Sequence, residues 1–181
     1  MKRTDFDTSE CPIARGLGEV GEWWSILILR DAFHGLARFE EFRESLGIAP
    51  NMLTRRLQTL VERGLLERRR YSQHPPRHEY VLTKKGRDFL PVLLTLLAWG
   101  NRYLSRRKGP PVLPTDRLTG APVEPIVVDA LTLKALLPGT VGLMAGPGAG
   151  PEVRRRLAQI ERNRHRRRAE RAAIAPPDTQ S

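Results

Sequence analysis

The chain has 181 residues, and 31 Lys and Arg against 20 Asp and Glu give a formal charge of +11 and a pI near 10.9. That length accommodates one main domain with appendages; no apolar run reaches the ~18 residues of a membrane span, and Met1-Lys2-Arg3-Thr4-Asp5 turns acidic where a signal peptide would turn apolar. A single cysteine, Cys11, excludes an internal disulfide framework and a cysteine-rich zinc site, so the expectation is a cytoplasmic protein, without a membrane span, whose partner is a polyanion.

Residues 1–10 read as an N-terminal arm and 11–105 as a compact domain of short periodic elements. Ile13 to Val20 is a helix with Pro12 in its first turn, a favoured place for proline. Trp24 to Phe33 is almost continuously apolar and predicts the central buried helix, ended by His34-Gly35. A buried Trp23/Trp24 region is expected, enclosing with the last helix before Ser105 a pocket for a small-molecule effector. Arg38 to Ser45 forms a third helix with Phe39 and Phe42 inward, and Pro50 to Arg63 a fourth, closed by Gly64. Then the period changes. Leu65 to Tyr71 and Arg77 to Leu82 predict two strands around Ser72-Gln73-His74-Pro75-Pro76, a hairpin with a proline-stiffened tip. Thr83 caps a further helix running towards Ser105, kinked or restarted at Pro91.

That last helix is apolar on nearly every side. One domain covers one face, so the rest calls for a second surface. The simplest partner is the same helix of another copy, which places Leu93, Leu96, Leu97 and Trp99 in a two-fold dimer interface. Residues 106–151 are a Gly- and Pro-rich extension. It contains a faint repeat, Asp116-Arg117-Leu118-Thr119 and Asp129-Ala130-Leu131-Thr132, which suggests two small β-hairpins around Gly120 and Ile126-Val127-Val128. Residues 138–151 read as a flexible tether. The segment 152–181 is a basic tail with helical spacing at Val153, Leu157 and Ile160, stopped by Pro176-Pro177.

Order and period together describe a mainly α domain with a small β-hairpin wing, a winged helix-turn-helix. A helical wheel of the fourth helix puts Leu53, Leu57 and Leu60 on one face and Asn51, Arg55, Gln58 and Glu62 opposite, flanked by Met52, Thr54 and Thr59. Arg pairs bidentately with guanine, Asn or Gln with adenine, and Thr or Met meets the thymine methyl. The first turns of such a helix enter the major groove, which favours Asn51, Met52, Thr54 and Arg55 over Glu62. On the wing, Tyr71, His74 and Arg77 can reach the minor groove or phosphates, adding affinity and register rather than sequence choice. Alternation sends Arg68 and Arg70 to one side and Arg69 to the other.

These residues are ones a known family shares. Cys11-Pro12-Ile13-Ala14, Trp24 leading into Leu27-Ile28-Leu29-Arg30-Asp31, and Arg38-Phe39 before Phe42 resemble the HxlR-type family of bacterial transcription regulators. So do Pro50-Asn51-Met52-Leu53-Thr54-Arg55-Arg56-Leu57, Glu62-Arg63-Gly64-Leu65-Leu66-Glu67-Arg68 and Pro75-Pro76-Arg77 before Glu79-Tyr80. Leu82-Thr83 with Lys85-Gly86, and Leu90-Pro91-Val92-Leu93 with Trp99-Gly100, complete a likeness over residues 11–104. It implies a winged-helix homodimer that represses or activates nearby promoters, repression being the expected sign, from a pseudo-palindromic operator in double-stranded DNA, with Arg38 joining the contacts of the fourth helix and the wing. One departure is Ala49, which stands where relatives place a small capping residue such as Ser. The resemblance also gives Cys11 a role as a sensor of oxidants or electrophiles, for which its place before a helix is suitable. It suggests, too, that the extension is a metal-free version of a zinc ribbon.

Dividing the charge sharpens its meaning. Residues 1–105 carry a net +4, residues 106–151 a net +2 and residues 152–181 a net +5. The tail's nine arginines come without an aromatic residue, so it would meet phosphates rather than stack on bases. A non-specific basic architectural protein is the alternative, and aromatics interleaved with the tail would have favoured it. An enzyme is the other. The histidines are scattered at 34, 74, 78 and 165, and Gly16-Leu17-Gly18 with Gly21 falls inside a helix rather than after a strand. No catalytic residue, metal ligand set or cofactor is expected.

Overall fold

The computed structural model describes residues 9–105 and 107–174. Residues 1–8 of the expected arm, and 175–181 with the Pro176-Pro177 stop, lie outside the described residues. The chain divides into two compact units, one of residues 17–137 and the other joining the N-terminal segment up to 16 with the chain from 138 onward. Helix α1 (Pro12–Val20) contributes residues to both.

In the larger unit, α2 (Trp23–Phe33), α3 (Phe39–Leu46) and α4 (Pro50–Glu62) surround a core in which Ile28, Leu29, Phe42, Leu53, Leu57 and Leu60 are fully buried. Trp24 packs against that core, but Trp23 is 72% exposed. This corrects the expectation of a buried Trp23/Trp24 pair. Trp23 opens its helix and turns outward, touching Trp24 only edge to face, with centroids 6.0 Å apart. Ala49 precedes α4 without a side-chain cap, and Pro50, whose missing N–H is no loss in a first turn, starts it.

Strands β1 (Leu66–Ser72) and β2 (Arg77–Leu82) pair antiparallel, with Leu66 opposite Leu82 and Arg69 opposite Glu79. The register slips between Arg70 and Ser72, which leaves Tyr71 in a bulge. The other edge of β2 is also used: the Tyr80 N–H donates to Ala37 O at 2.7 Å, and Arg38 bridges to Glu79. The loop before α3 is thereby a third rung of the wing.

The stretch from Thr83 to Ser105 forms two helices, α5 (Lys84–Arg87) and α6 (Leu90–Leu104), so of the kink or restart expected at Pro91 it is the restart that occurs. The interruption at Asp88-Phe89 lets Pro91 sit in a first turn, where it displaces no hydrogen bond. Thr83 holds the junction. Its hydroxyl donates to Gly64 O at 2.6 Å and accepts from the Gly86 N–H at 3.0 Å. Lys85 reaches Arg63 O at 2.9 Å and Glu19 at 2.5 Å. Among the described residues no helix is long and apolar enough to cross a membrane.

Beyond α6, Asp116 and Asp129 each fold a tight turn, closed by single bridges Thr115–Pro122 and Val128–Ala135. The second turn therefore centres on Asp129–Leu133, with Val128 in its flank rather than at its apex, because the aspartate supplies the turn's acceptor.

In the other unit, α7 (Pro151–Ile174) begins against the N-terminal segment. Glu10 Oε2 accepts the Val153 N–H at 3.0 Å, capping the helix from a position 143 residues away in sequence. A side chain at Gly150 would place its Cβ 2.1 Å from the same carboxylate, which would have to swing out of its capping position to make room.

Gly86 meets a harder steric limit: a Cβ there would lie 2.1 Å from Leu65 O, a backbone atom with no room to yield. Gly86→Ala should therefore destabilise the domain by about 1–3 kcal/mol, read as a lower urea midpoint. An unchanged midpoint would mean that α5 does not approach Leu65 this closely in solution.

Candidate nucleic-acid interface

Helix α4 has two chemically opposite sides. Leu53, Arg56, Leu57 and Leu60 are buried, whereas Asn51, Thr54, Arg55 and Gln58 are exposed. The Thr54 hydroxyl donates to Pro50 O at 2.9 Å, which orients the side chain and keeps its methyl available to an apolar contact. Gln58 Nε2 donates to Glu62 Oε1 at 2.8 Å, so an adenine would compete with a local partner. Met52 is half-buried and packs against the core, leaving only part of its side chain for DNA.

Sequence reasoning missed Arg56. It is 4% exposed and forms an ion pair with Glu22, just before α2. The signal was available, since Arg56 is three residues after Leu53 and four before Leu60, on the buried face. Arg56 thus ties α4 to the start of α2 and is not a DNA contact.

A second group of predicted residues meets between α3 and the wing. The Arg38 guanidinium lies over the Tyr71 ring, 4.6 Å from its centroid, a cation–π contact that the β1 bulge makes reachable. Arg38, Tyr71 and Arg77 line an open cleft of about 490 Å³ together with His78. Glu41 Oε2 holds the approach to α3 by accepting the N–H groups of Ala37 at 2.8 Å and Arg38 at 2.9 Å. Those two donors keep the Glu41 carboxyl below the ordinary carboxylate range. His74 is exposed at the hairpin tip, and the α4 residues do not line the cleft.

The arginine run of β1 is differentiated by its neighbours. Arg69 is held by Glu67 at 3.1 Å, which raises the guanidinium and lowers the carboxyl further from neutrality. Arg68 Nη2 lies 3.1 Å from His78 Nδ1, and Arg70 Nε donates to Ser72 O at 3.2 Å. Desolvation, then the charges of Arg68 and Arg70, push the His78 imidazole below its usual value.

The α6 residues expected at a dimer interface divide. Leu93 packs against its own core and Leu97 is half-buried, whereas Leu96 and Trp99 are 47% and 53% exposed. Val92 and Tyr103, missed in the sequence, are exposed on the same helix. Cys11 is partly exposed at the start of α1. The N–H groups of Ala14 and Ile13, and then the Arg156 guanidinium, lower its thiol pKa.

Comparison with known proteins agrees with this architecture. The HxlR-like helix-turn-helix family matches residues 19–108. An HTH-type transcriptional regulator of Mycobacterium tuberculosis, MT3179, is 40% identical over 136 residues, which is 75% of this chain and 86% of that protein. An HTH-type regulator of Methanothermobacter thermautotrophicus is 37% identical over 99 residues, covering 54% of this chain and 76% of its own. Among solved structures, the transcription factor candidate PA1607 superposes with a TM-score of 0.72 at 37% identity, covering 79% of this chain and all of that one. The candidate PA1374 of Pseudomonas aeruginosa gives 0.58 at 52% identity, covering 81% and 99%. A winged helix with a polar outward α4, matched at this identity to regulators over most of their length, belongs to the HxlR-like helix-turn-helix family of DNA-binding transcriptional regulators.

Proposed function

We propose that the protein is a sequence-specific regulator that binds a pseudo-palindromic operator as a homodimer and represses the promoters it occupies. The observation that carries this reading is the outward face of α4, where Asn51, Thr54 and Arg55 stand exposed in the first turns over a leucine core. Those side chains read base edges in the major groove. Arg38, stacked on Tyr71, and Arg77 and His74 on the wing meet the backbone and the adjacent minor groove, fixing register. Two copies joined through Leu96 and Trp99 of α6 set their α4 helices about one DNA turn, ~34–36 Å, apart. Occupancy of such a site blocks a promoter sterically, which is why repression is the expected sign.

The tail supplies affinity. Arg154, Arg155, Arg162, Arg164, Arg166 and Arg167 are exposed along α7 and would neutralise phosphates without reading bases. Cys11 is the place for an effector: a thiolate favoured by the α1 N-terminus and Arg156 adds to an electrophile such as a quinone, forming a C–S bond while the ring oxygen takes up a proton.

Base contacts and phosphate contacts separate experimentally. With a duplex selected by the protein from a random pool, Arg55→Ala should lose about 1–3 kcal/mol, or roughly tenfold to a hundredfold in affinity, and little on unselected DNA. Arg77→Ala should weaken both duplexes alike. Equal losses on both for Arg55→Ala would favour a non-specific architectural protein. Deleting residues 152–181 should flatten the dependence of log affinity on log salt without changing the selected sequence; an identical slope removes the tail from the interface. Quinone treatment should label Cys11 by mass spectrometry and lower operator affinity. Labelled protein that binds as tightly as before would make the cysteine inert for regulation.

A further inference from the structure

The family match ends at residue 108, and the chain that follows carries side chains that neither the domain core nor DNA accounts for. The two aspartate turns there are built alike. Asp116 Oδ1 accepts the N–H groups of Leu118 at 2.9 Å and Thr119 at 2.8 Å, and Asp129 Oδ1 accepts that of Leu131 at 2.8 Å. Each aspartate carbonyl takes a further N–H at 2.8 Å, from Gly120 in the first turn and Leu133 in the second. The leucines two positions after the aspartates are 96% and 94% exposed. An apolar side chain fixed on a stiff turn and left in water stabilises nothing within its own chain.

The fifth position of the turn adds an independent sign. Gly120 has φ +70°, a conformation open to glycine. Leu133 holds φ +55° in the equivalent place, with 76% of its surface exposed. A leucine there holds a backbone conformation that costs more than it would for glycine; its N–H bond to Asp129 O fixes the turn, but its largely exposed side chain recovers little by packing among the described residues. We propose that Leu118, Leu131 and Leu133 form a clasp that docks on a second copy of this chain, beside the α6 face. This rests on the homodimer reading above.

Three observations select a second copy as the occupant. The extension is fastened to α6, through Asn101 Nδ2 donating to Val112 O at 2.8 Å and an Arg102–Glu124 pair at 2.7 Å, so the clasp belongs to the helix that carries the dimer face. Area is the second. At ~150–250 Å² for a whole aromatic side chain and less for Val or Leu, the half-exposed Val92, Leu96, Trp99 and Tyr103 offer no more than about half of the ~800 Å² that a stable interface takes from each partner. The three turn leucines supply a comparable amount. Charge is the third: residues 109–137 hold two basic and three acidic groups, which disfavours nucleic acid as the occupant.

The test uses the full chain and sedimentation equilibrium. Leu118→Ser/Leu131→Ser should weaken self-association at least tenfold, and so should Leu133→Gly. At concentrations where the protein is monomeric, Leu133→Gly should leave the thermal midpoint equal or higher, because it relieves the backbone. Leu96→Asp is the control for α6. If Leu96→Asp dissociates the dimer while the turn variants associate like wild type, the dimer stands, the clasp is overturned and the leucines face another molecule. If the wild-type chain is monomeric throughout, the homodimer reading falls and the clasp with it. A monomer midpoint lowered by more than glycine's extra freedom in the unfolded chain accounts for would also overturn the clasp, by showing that the side chain works inside its own chain.

Discussion

The hydrogen bond from the Tyr80 N–H to Ala37 O, 2.7 Å long, joins the approach to α3 to the wing. Without it the outer edge of β2 would be unpaired, and the wing would be held only by its base, where Leu66, Tyr80 and Leu82 pack on the helical core. With it, β2 becomes a central strand, Arg38 is brought into register with Glu79, and the α3 N-terminus is set at a fixed distance from β1. Glu41 reinforces the same joint from the helix side by accepting from Ala37 and Arg38. The Arg38–Tyr71 stack is a result of that geometry rather than its cause.

A second constraint fixes α4. Its leucines specify which face is inward, but apolar packing is non-directional and tolerates sliding along the helix axis. The Arg56–Glu22 pair adds direction. A guanidinium buried to 4% exposure must keep its partner, so α4 is held at one depth relative to the start of α2. The exposed polar residues on the far side, Asn51, Thr54, Arg55 and Gln58, inherit that depth.

Much of this was legible in the chain because strong periods leave few choices. Leu53, Leu57 and Leu60 at helical spacing, a change to strand-like alternation after Gly64, and prolines at the hairpin tip define the order of elements. Thr83 and Gly86 were visible as a motif, and the structure supplies their reason: one hydroxyl serving two backbone groups beside a backbone approach that excludes a Cβ. What was not legible involves partners distant in sequence or surroundings that a period cannot express. Trp23 and Trp24 look alike on paper, yet only one faces the core. Leu93 belongs to an all-round apolar helix, and only tertiary packing spends it inward. Tyr71 meets Arg38 because of a bulge, which strict alternation would not place.

The contact between Glu10 and α7 has a consequence for how this sequence can vary. Residues 10 and 150 are coupled sterically: while the Glu10 carboxylate caps Val153, a methyl group at 150 would push that side chain out of its capping position. Each position alone looks like an unremarkable surface residue in a polar stretch. Together they form a pair in which a side chain gained near one end of the chain displaces a cap supplied from the other, so related sequences that use an acid at 10 for this cap should favour glycine at 150.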